Sequence, residues 1–297
     1  MKHTKYAAVM LTLSIALAGC GGGTGAGGAD PDAPPVLPDP AEQQTPAAPP
    51  AEEKAQTEPN TELNPESQQE VPEPESVPEE EPAVVQNYYM DKNYMIRPKT
   101  PEADKKVFLL TFDDGPKDEA VLTSILDTLD QHQAKAIFFL NGYRIKQHPE
   151  LVELIDERGQ YFGNHSWDHI NLKEVSEEEL EKQIGGVQNI IQEITGKTPA
   201  FFRPPFGSGG DAVKGKAAEH GMLYMTWSNG SRDWEKNYQE PSKIIESVLE
   251  QLHAGSNILM HELPWTAEAL DSLIKTLEEK GYSPVDPGQI DADYSAE

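Results

Sequence analysis

Two adjacent acids, Asp113 and Asp114, end the apolar run Val107–Phe112 and are followed by Gly115 and Pro116. Carboxylates at the C-terminal end of a buried strand are costly unless a cation or a proton neutralises part of their charge. A tight turn accounts for the glycine and the proline but not for both acids. Further on, His165-Ser166-Trp167-Asp168-His169 sets two imidazoles four residues apart. If that segment turns helically they face the same way, as a shared metal requires. The Glu of the zinc-protease motif is missing after the first histidine, so chemistry of that kind is not indicated.

Three more strand ends carry polar residues. Arg203 precedes Pro204-Pro205-Phe206-Gly207. Two prolines make a rigid extended corner, and a guanidinium beside it either grips a carboxylate with paired hydrogen bonds or sits in a surface turn. The stretch Trp227-Ser228-Asn229-Gly230-Ser231-Arg232-Asp233-Trp234 brings tryptophans next to polar loop residues. Such indoles suit sugar rings, although Trp also packs in cores. His261 and Glu262 follow the run Asn257–Met260. Together these residues put acids, histidines and an arginine at one end of one sheet, where α/β active sites form.

The elements that must hold them alternate along the chain. Strand-like runs fall at Val107–Phe112, Ala136–Leu140, Tyr161–Asn164, Ala200–Arg203, Leu223–Trp227, Asn257–His261 and Tyr282–Val285. Several are continuously apolar, which marks parallel strands buried on both faces. Between them lie amphipathic stretches at Glu119–His132, Pro149–Arg158, Ser176–Thr195, Asp211–His220, Ser242–His253 and Ala267–Lys280. Ser176-Glu177-Glu178-Glu179 opens the third as a capping box, and Gly159, Gly196, Gly221 and Gly281 follow helical runs as stop signals. Seven strands alternating with six helices predict an α/β domain, most simply a barrel of parallel strands, with an open doubly wound sheet as the alternative. His132, His148, His220 and His253 fall in or near the helical stretches and read as surface or packing residues.

The N-terminal third has a different composition. Lys2, His3 and Lys5 precede an apolar run from Ala7 through Ala18, too short to span a bilayer as a helix but suited to a secretory signal. The junction Leu17-Ala18-Gly19-Cys20 holds the only Cys of the chain. It resembles the lipobox of bacterial lipoproteins, which implies acylation of Cys20, a lipid anchor and a location outside the cytoplasmic membrane. Residues 21–86 hold 15 acids and one base, Lys54, and residues 31–50 alone hold eight prolines. Such a segment buries too little apolar surface to offset its ordering entropy, so it is expected to be a disordered acidic tether. The folded domain is placed at residues 87–297.

Over the whole chain of 297 residues, 24 Lys+Arg against 51 Asp+Glu give a net charge of −27. That balance disfavours nucleic acid and anionic membrane surfaces as partners, because phosphate groups need a basic face. A single Cys excludes a disulfide scaffold and thiolate metal clusters.

In order and spacing, Thr111-Phe112-Asp113-Asp114-Gly115-Pro116 and His165-Ser166-Trp167-Asp168-His169 resemble the signature of the NodB-type polysaccharide deacetylases, family 4 of the carbohydrate esterases. The resemblance extends over residues 87–290. It implies a distorted (β/α) barrel of about seven parallel strands and removal of N- or O-acetyl groups from glycans such as peptidoglycan, chitin or xylan. By the same resemblance Asp114, His165 and His169 bind a divalent metal, usually zinc, with cobalt and other divalent ions as substitutes. Asp113 is then the general base and His261 the general acid. Arg203 orients Asp113, and Asp233 holds His261. The backbone N–H of Phe206 faces the oxyanion, since Pro204 and Pro205 have none to give, and Leu259 and Trp234 wall the acetyl pocket.

The stretch Gly163-Asn164-His165-Ser166-Trp167-Asp168-His169 looks most like peptidoglycan N-acetylglucosamine deacetylases. A cell-wall glycan is therefore the expected substrate, met by a monomer tethered to the membrane through its lipid. Deacetylation of chitin-like glycans or exopolysaccharides, or a silent glycan-binding lipoprotein, are the alternatives. One departure stands out: where the family usually has an acid three positions before the residue matching Asp233, this chain has Gly230.

Overall fold

A computed structural model describes residues 84–294; the expected signal, Cys20 and nearly all of the expected tether lie outside the described residues. The chain opens with β1 (Tyr88–Met90) and β2 (Ile96–Pro98), then β3 (Val107–Gly115), α1 (Glu119–Gln131) and β4 (Ala136–Leu140). Next come α2 (Gly142–Gln147), α3 (Pro149–Glu157), β5 (Tyr161–Asn164), α4 (Glu177–Thr195), β6 (Phe201–Phe202) and α5 (Asp211–Glu219). The last part holds β7 (Leu223–Tyr224), β8 (Asn229–Gly230), α6 (Pro241–Glu250), β9 (Ser256–His261), α7 (Pro264–Glu279), β10 (Ser283–Pro284) and β11 (Ile290–Asp291).

Seven strands form one parallel sheet in the order β7-β6-β5-β4-β3-β9-β8, curled into a half-barrel. β10 pairs with Val107 and Phe108 of β3, ahead of the point where β4 joins at Leu110. The curl has a covalent cause. β7 and β8 lie at opposite ends of the sheet, yet only Met225–Ser228 separate them. Five residue steps span at most about 18 Å, so the two edges must approach one another. The expected strand Leu223–Trp227 is therefore cut short at Tyr224. Met225 N–H still donates to the Phe202 carbonyl at 2.9 Å, and from Thr226 on side chains join in: Arg203 Nη2 and Asn257 Nδ2 donate to the Thr226 carbonyl at 2.8 and 3.0 Å.

Alternation along β3 divides the core in two. Phe108, Leu110 and Phe112 pack with Leu122, Ile125 and Leu129 of α1 and with Leu270, Leu273 and Leu277 of α7. Val107 and Leu109 point the other way, into a cluster with Ile137, Phe139, Phe201 and Met225. The small sheet β11-β1-β2 adds Tyr88, Ile96 and Ile290 to this inner cluster. It is tied to the starts of β3 and β9 by Ile96 N–H to the Gly255 carbonyl and Gly255 N–H to the Val107 carbonyl, each at 2.9 Å. Apolar residues thus fill the N-terminal end of the half-barrel, and Thr111 and Asp113 continue the inner face at the other end.

The helical stretches read from the sequence are all present, and α2 is an additional short helix. Ser176 Oγ accepts the Glu179 N–H at 3.2 Å at the start of α4. Gly159, Gly196, Gly221 and Gly281 leave their helices at φ of 62, 73, 69 and 78°, a region costly for residues with a Cβ. Among the described residues, no helix is long and apolar enough to cross a membrane.

Candidate active site

Asp113 lies on the inner face of β3 and is the register partner of His261 on β9, so their side chains share one side of the sheet. Simple alternation would send Asp114 to the opposite, helix-covered side. Instead the β3–β4 register shifts between Asp113 and Gly115, and Asp114 takes φ = 66°. This bulge returns the second acid to the mouth of the half-barrel, with a left-handed conformation that Asp adopts more readily than most residues.

The two histidines reach Asp114 by a route other than the helical turn the spacing suggested. Residues 165–169 are irregular, with Ser166 and His169 at φ of 65 and 53°. Neighbouring polar side chains hold them. Asn164 Oδ1 accepts the Ser166 N–H at 3.0 Å, Asn141 Nδ2 donates to the His165 carbonyl at 2.8 Å, and Gln183 Oε1 accepts the Asp168 N–H at 2.8 Å. His165 Nδ1 lies 2.7 Å from the Arg203 carbonyl. A carbonyl only accepts, so Nδ1 carries the proton and Nε2 presents a lone pair.

Both Nε2 atoms converge on Asp114 Oδ1, at 3.4 Å from His165 and 3.1 Å from His169. The ligand atoms of the three residues lie within 4.8 Å of one another. Asp114 Oδ1 is buried and has no hydrogen-bond donor, the arrangement a shared cation would complete. One carboxylate and two imidazoles are also a donor set that suits zinc. Burial works against charge on Asp114, and only positive charge on this side, from a cation or from protonated imidazoles, holds the carboxyl below the usual carboxylate range.

Two buried ion pairs lie beneath this cluster. Arg203 is fully buried, its Nη1 donating to Asp113 Oδ1 at 2.6 Å and to Thr111 Oγ1 at 2.8 Å. Its guanidinium stacks 4.3 Å from the centroid of Phe139. Asp233, also fully buried, meets His261 Nδ1 at 2.7 Å, which aims Nε2 towards the cleft. Burial acts to lower the pKa of His261, but the Asp233 carboxylate outweighs it, and the net shift is upward.

A cleft of about 380 Å³ opens onto these groups, walled by Phe206, Trp227, Trp234 and the buried Leu259. Phe206 is 66% exposed at φ = 60° and sets its ring edge-on to His169, with centroids 4.8 Å apart. Among the described residues, its backbone N–H donates no hydrogen bond. Trp234, 46% exposed, stands in the same way against His261 at 5.3 Å. Two exposed aromatic faces therefore flank the cleft. Gly230 is buried in β8, where an added Cβ would meet nothing closer than the Trp227 ring at 3.9 Å.

Every site residue read from the described part of the sequence gathers here. Gly207 and Glu262 belong to the same neighbourhood with no role legible in the sequence, and Trp227 carries only the general one of an indole suited to sugar rings. An indole at a strand end and an acid beside His261 were the available signals. Among the described residues, the four other histidines lie elsewhere: His132 against Asp271 and Glu278, His148 against Glu150, His220 against Glu181, and His253 against the Ser228 carbonyl.

Comparison with known proteins gives a consistent picture. The polysaccharide deacetylase family model matches residues 100–225. The peptidoglycan-N-acetylmuramic acid deacetylase PdaC of Bacillus subtilis is 35% identical over 194 residues, which cover 65% of this chain and 40% of PdaC. The chain thus spans less than half the length of that relative. A peptidoglycan-N-acetylglucosamine deacetylase of Bacillus cereus is 36% identical over 188 residues, covering 60% of this chain and 68% of that protein. A solved CE4 family pseudoenzyme from Bacillus anthracis superposes with a TM-score of 0.59 at 31% identity, covering 63% of this chain and 67% of that one.

Proposed function

The chain belongs to the polysaccharide deacetylase family, and from that premise we propose that it hydrolyses the acetamide of a cell-wall glycan, releasing acetate and leaving an amine on the sugar. The observation that carries this reading is the convergence of Asp114, His165 and His169 beside Asp113 and His261 in one cleft.

Asp114, His165 and His169 would hold a divalent ion, zinc first and cobalt as a substitute. Such an ion supplies Lewis acidity to the amide carbonyl and makes water a stronger acid. Asp113, fixed by Arg203, takes the proton of the attacking water. The unpaired Phe206 N–H is available to the oxyanion as charge develops there. His261, held by Asp233, gives its proton to the departing amine. Leu259 and Trp234 enclose the acetyl methyl group.

N-acetylglucosamine of peptidoglycan is the preferred substrate. The exposed faces of Phe206 and Trp234 suit sugar rings, and the Bacillus cereus relative carries that activity in its name. PdaC favours a second reading, N-acetylmuramic acid. The pseudoenzyme neighbour keeps a silent glycan binder in view, and the assembled set of acids, histidines and Arg203 supports the active reading over it. Acylation at Cys20 and the acidic tether would let a monomer work on the wall from the outer face of the membrane. Mass analysis of muramidase fragments from treated peptidoglycan tests the assignment. Fragments carrying a glucosamine residue in place of N-acetylglucosamine are expected, de-N-acetylated muramic acid residues would move the substrate to the second reading, and fully acetylated fragments would refute the activity.

A further inference from the structure

Glu262 follows His261 directly, is 2% exposed, and has no part in the steps above. Its Oε2 accepts the Lys117 N–H at 3.2 Å, while Oε1 is buried without a donor. The carboxyl lies flat against Gly115, so that a Cβ there would overlap Oε1. Gly115 does not adopt a left-handed conformation. Space, rather than backbone freedom, opposes a side chain at this position, since a Cβ there would displace the Glu262 carboxyl.

The residues on this contact belong to the turn that carries both acids. Pro116 offers no N–H, so Lys117 has the first amide after Gly115, and Glu262 accepts from it. The Lys117 ammonium in turn lies 3.8 Å from Asp114 Oδ2, on the carboxylate oxygen that does not face the histidines. A positive charge thus lies near Asp114 on the oxygen other than the one the histidines face.

We propose that Glu262 is a positioning residue that braces the turn Asp113–Lys117 against the strand carrying His261, and so sets the place of Asp114 in the metal site. The inference rests on the reading of Asp114, His165 and His169 as metal ligands. Burying a carboxyl with one oxygen unsatisfied is unfavourable, and a mere space filler would be apolar. Burial, only partly opposed by Lys117 and Arg144, pushes the Glu262 carboxyl up to about 7, which shows how inhospitable the position is to charge. What offsets that cost is the turn it holds.

The test measures zinc affinity by competition with a chromophoric chelator, with thermal stability and the visible spectrum of the cobalt form alongside, on the intact protein. Glu262→Ala is expected to weaken zinc binding by ~10- to 100-fold, the usual effect of losing a supporting partner behind a metal ligand. Glu262→Gln, which keeps an oxygen for the Lys117 N–H, should bind zinc almost as the parent does. Gly115→Ala should match the Glu262→Ala loss, and the double variant should be no worse than either single one, because both remove the same contact. Unchanged zinc affinity and cobalt spectrum in Glu262→Ala would overturn the proposal. So would a Glu262→Gln protein as weak as Glu262→Ala, or losses that add in the double variant. These readouts need no substrate, so a protein that binds zinc tightly yet releases no acetate would count against the proposed activity and leave the brace standing.

Discussion

The carboxylate of Asp233 grips His261 twice, meeting its backbone N–H through one oxygen and its ring Nδ1 through the other, each at 2.7 Å. Thr266 Oγ1 donates to the first of these oxygens at 2.7 Å, and Trp265 Nε1 donates to the Asp233 carbonyl at 2.9 Å. The imidazole is therefore fixed in place and tautomer by a fully buried acid. A raised pKa keeps the ring protonated to higher pH, as a group that must give up a proton requires.

Replacing Asp233 by Asn removes that charge while keeping the shape. The alkaline limb of the pH profile of kcat/KM should move to lower pH, and kcat should fall by about 10²- to 10⁴-fold, the range for losing a positioned proton donor. Stability should follow the same group. The His261–Asp233 pair stabilises the fold fully below the ordinary imidazole value of 6.5 and loses its contribution as pH rises through the higher folded value. The gap in Tm between parent and variant should accordingly narrow in alkaline buffer, and a gap independent of pH would argue against the ion pair.

Arg203→Ala should damage both the fold and the reaction. It leaves Asp113 buried without its 2.6 Å partner and leaves the Thr226 carbonyl, at the gap between the two sheet edges, to Asn257 alone. Breaking a buried pair in this way costs about 3–5 kcal/mol. Denaturant unfolding would measure it. A loss near zero would mean that the guanidinium does not hold the carboxylate in solution.

Metal retention should depend on all three residues of the cluster. Asp114→Ala, His165→Ala and His169→Ala proteins should each lose stoichiometric zinc on dialysis while the parent keeps it, as measured by elemental analysis. His132→Ala, at the ion pair with Asp271 away from the cleft, should behave as the parent does. Retention of zinc by the Asp114 variant would place the metal elsewhere.

Glu262 should leave its own mark on stability. Its ordinary carboxyl value of 4.5 rises to about 7 in the fold. The native state therefore binds a proton that the unfolded chain has released, and stability declines as pH climbs from 4.5 towards 7. The full effect is on the order of 3 kcal/mol for one group. Glu262→Gln should flatten this decline in a series of urea titrations; a parallel decline in both proteins would assign it to other groups.

The long buried elements were legible in the sequence and the short ones were not, for physical reasons. β3, β4 and β9 are covered on both faces, so their composition alone marks them as buried strands. The helices announced themselves by period, by the Ser176 cap and by glycine stops. In contrast, β8 has two residues, α2 has six, and β1 has three, too short for any of them to produce a local pattern. At the site, acids and histidines at strand ends could be read directly. The bulge that turns Asp114 inward could not, because it depends on where β4 pairs. The four-residue spacing of His165 and His169 is compatible with a helical turn and says nothing of their actual irregular path, because side chains from other elements hold it open. Glu262 was visible as a residue but not as a brace, because the amide it accepts from is 145 residues away.

Removal of acetyl groups by this cleft should depend on a bound metal. The most direct measurement is acetate release from peptidoglycan by the zinc-loaded protein, before and after chelation, with Asp113→Asn as the control. Acetate should appear with the parent, stop on chelation, return when zinc is restored, and fall by about 10²- to 10⁴-fold in the variant, as expected for a lost general base. Release that persists after chelation, or that survives the Asp113 substitution, would contradict the account.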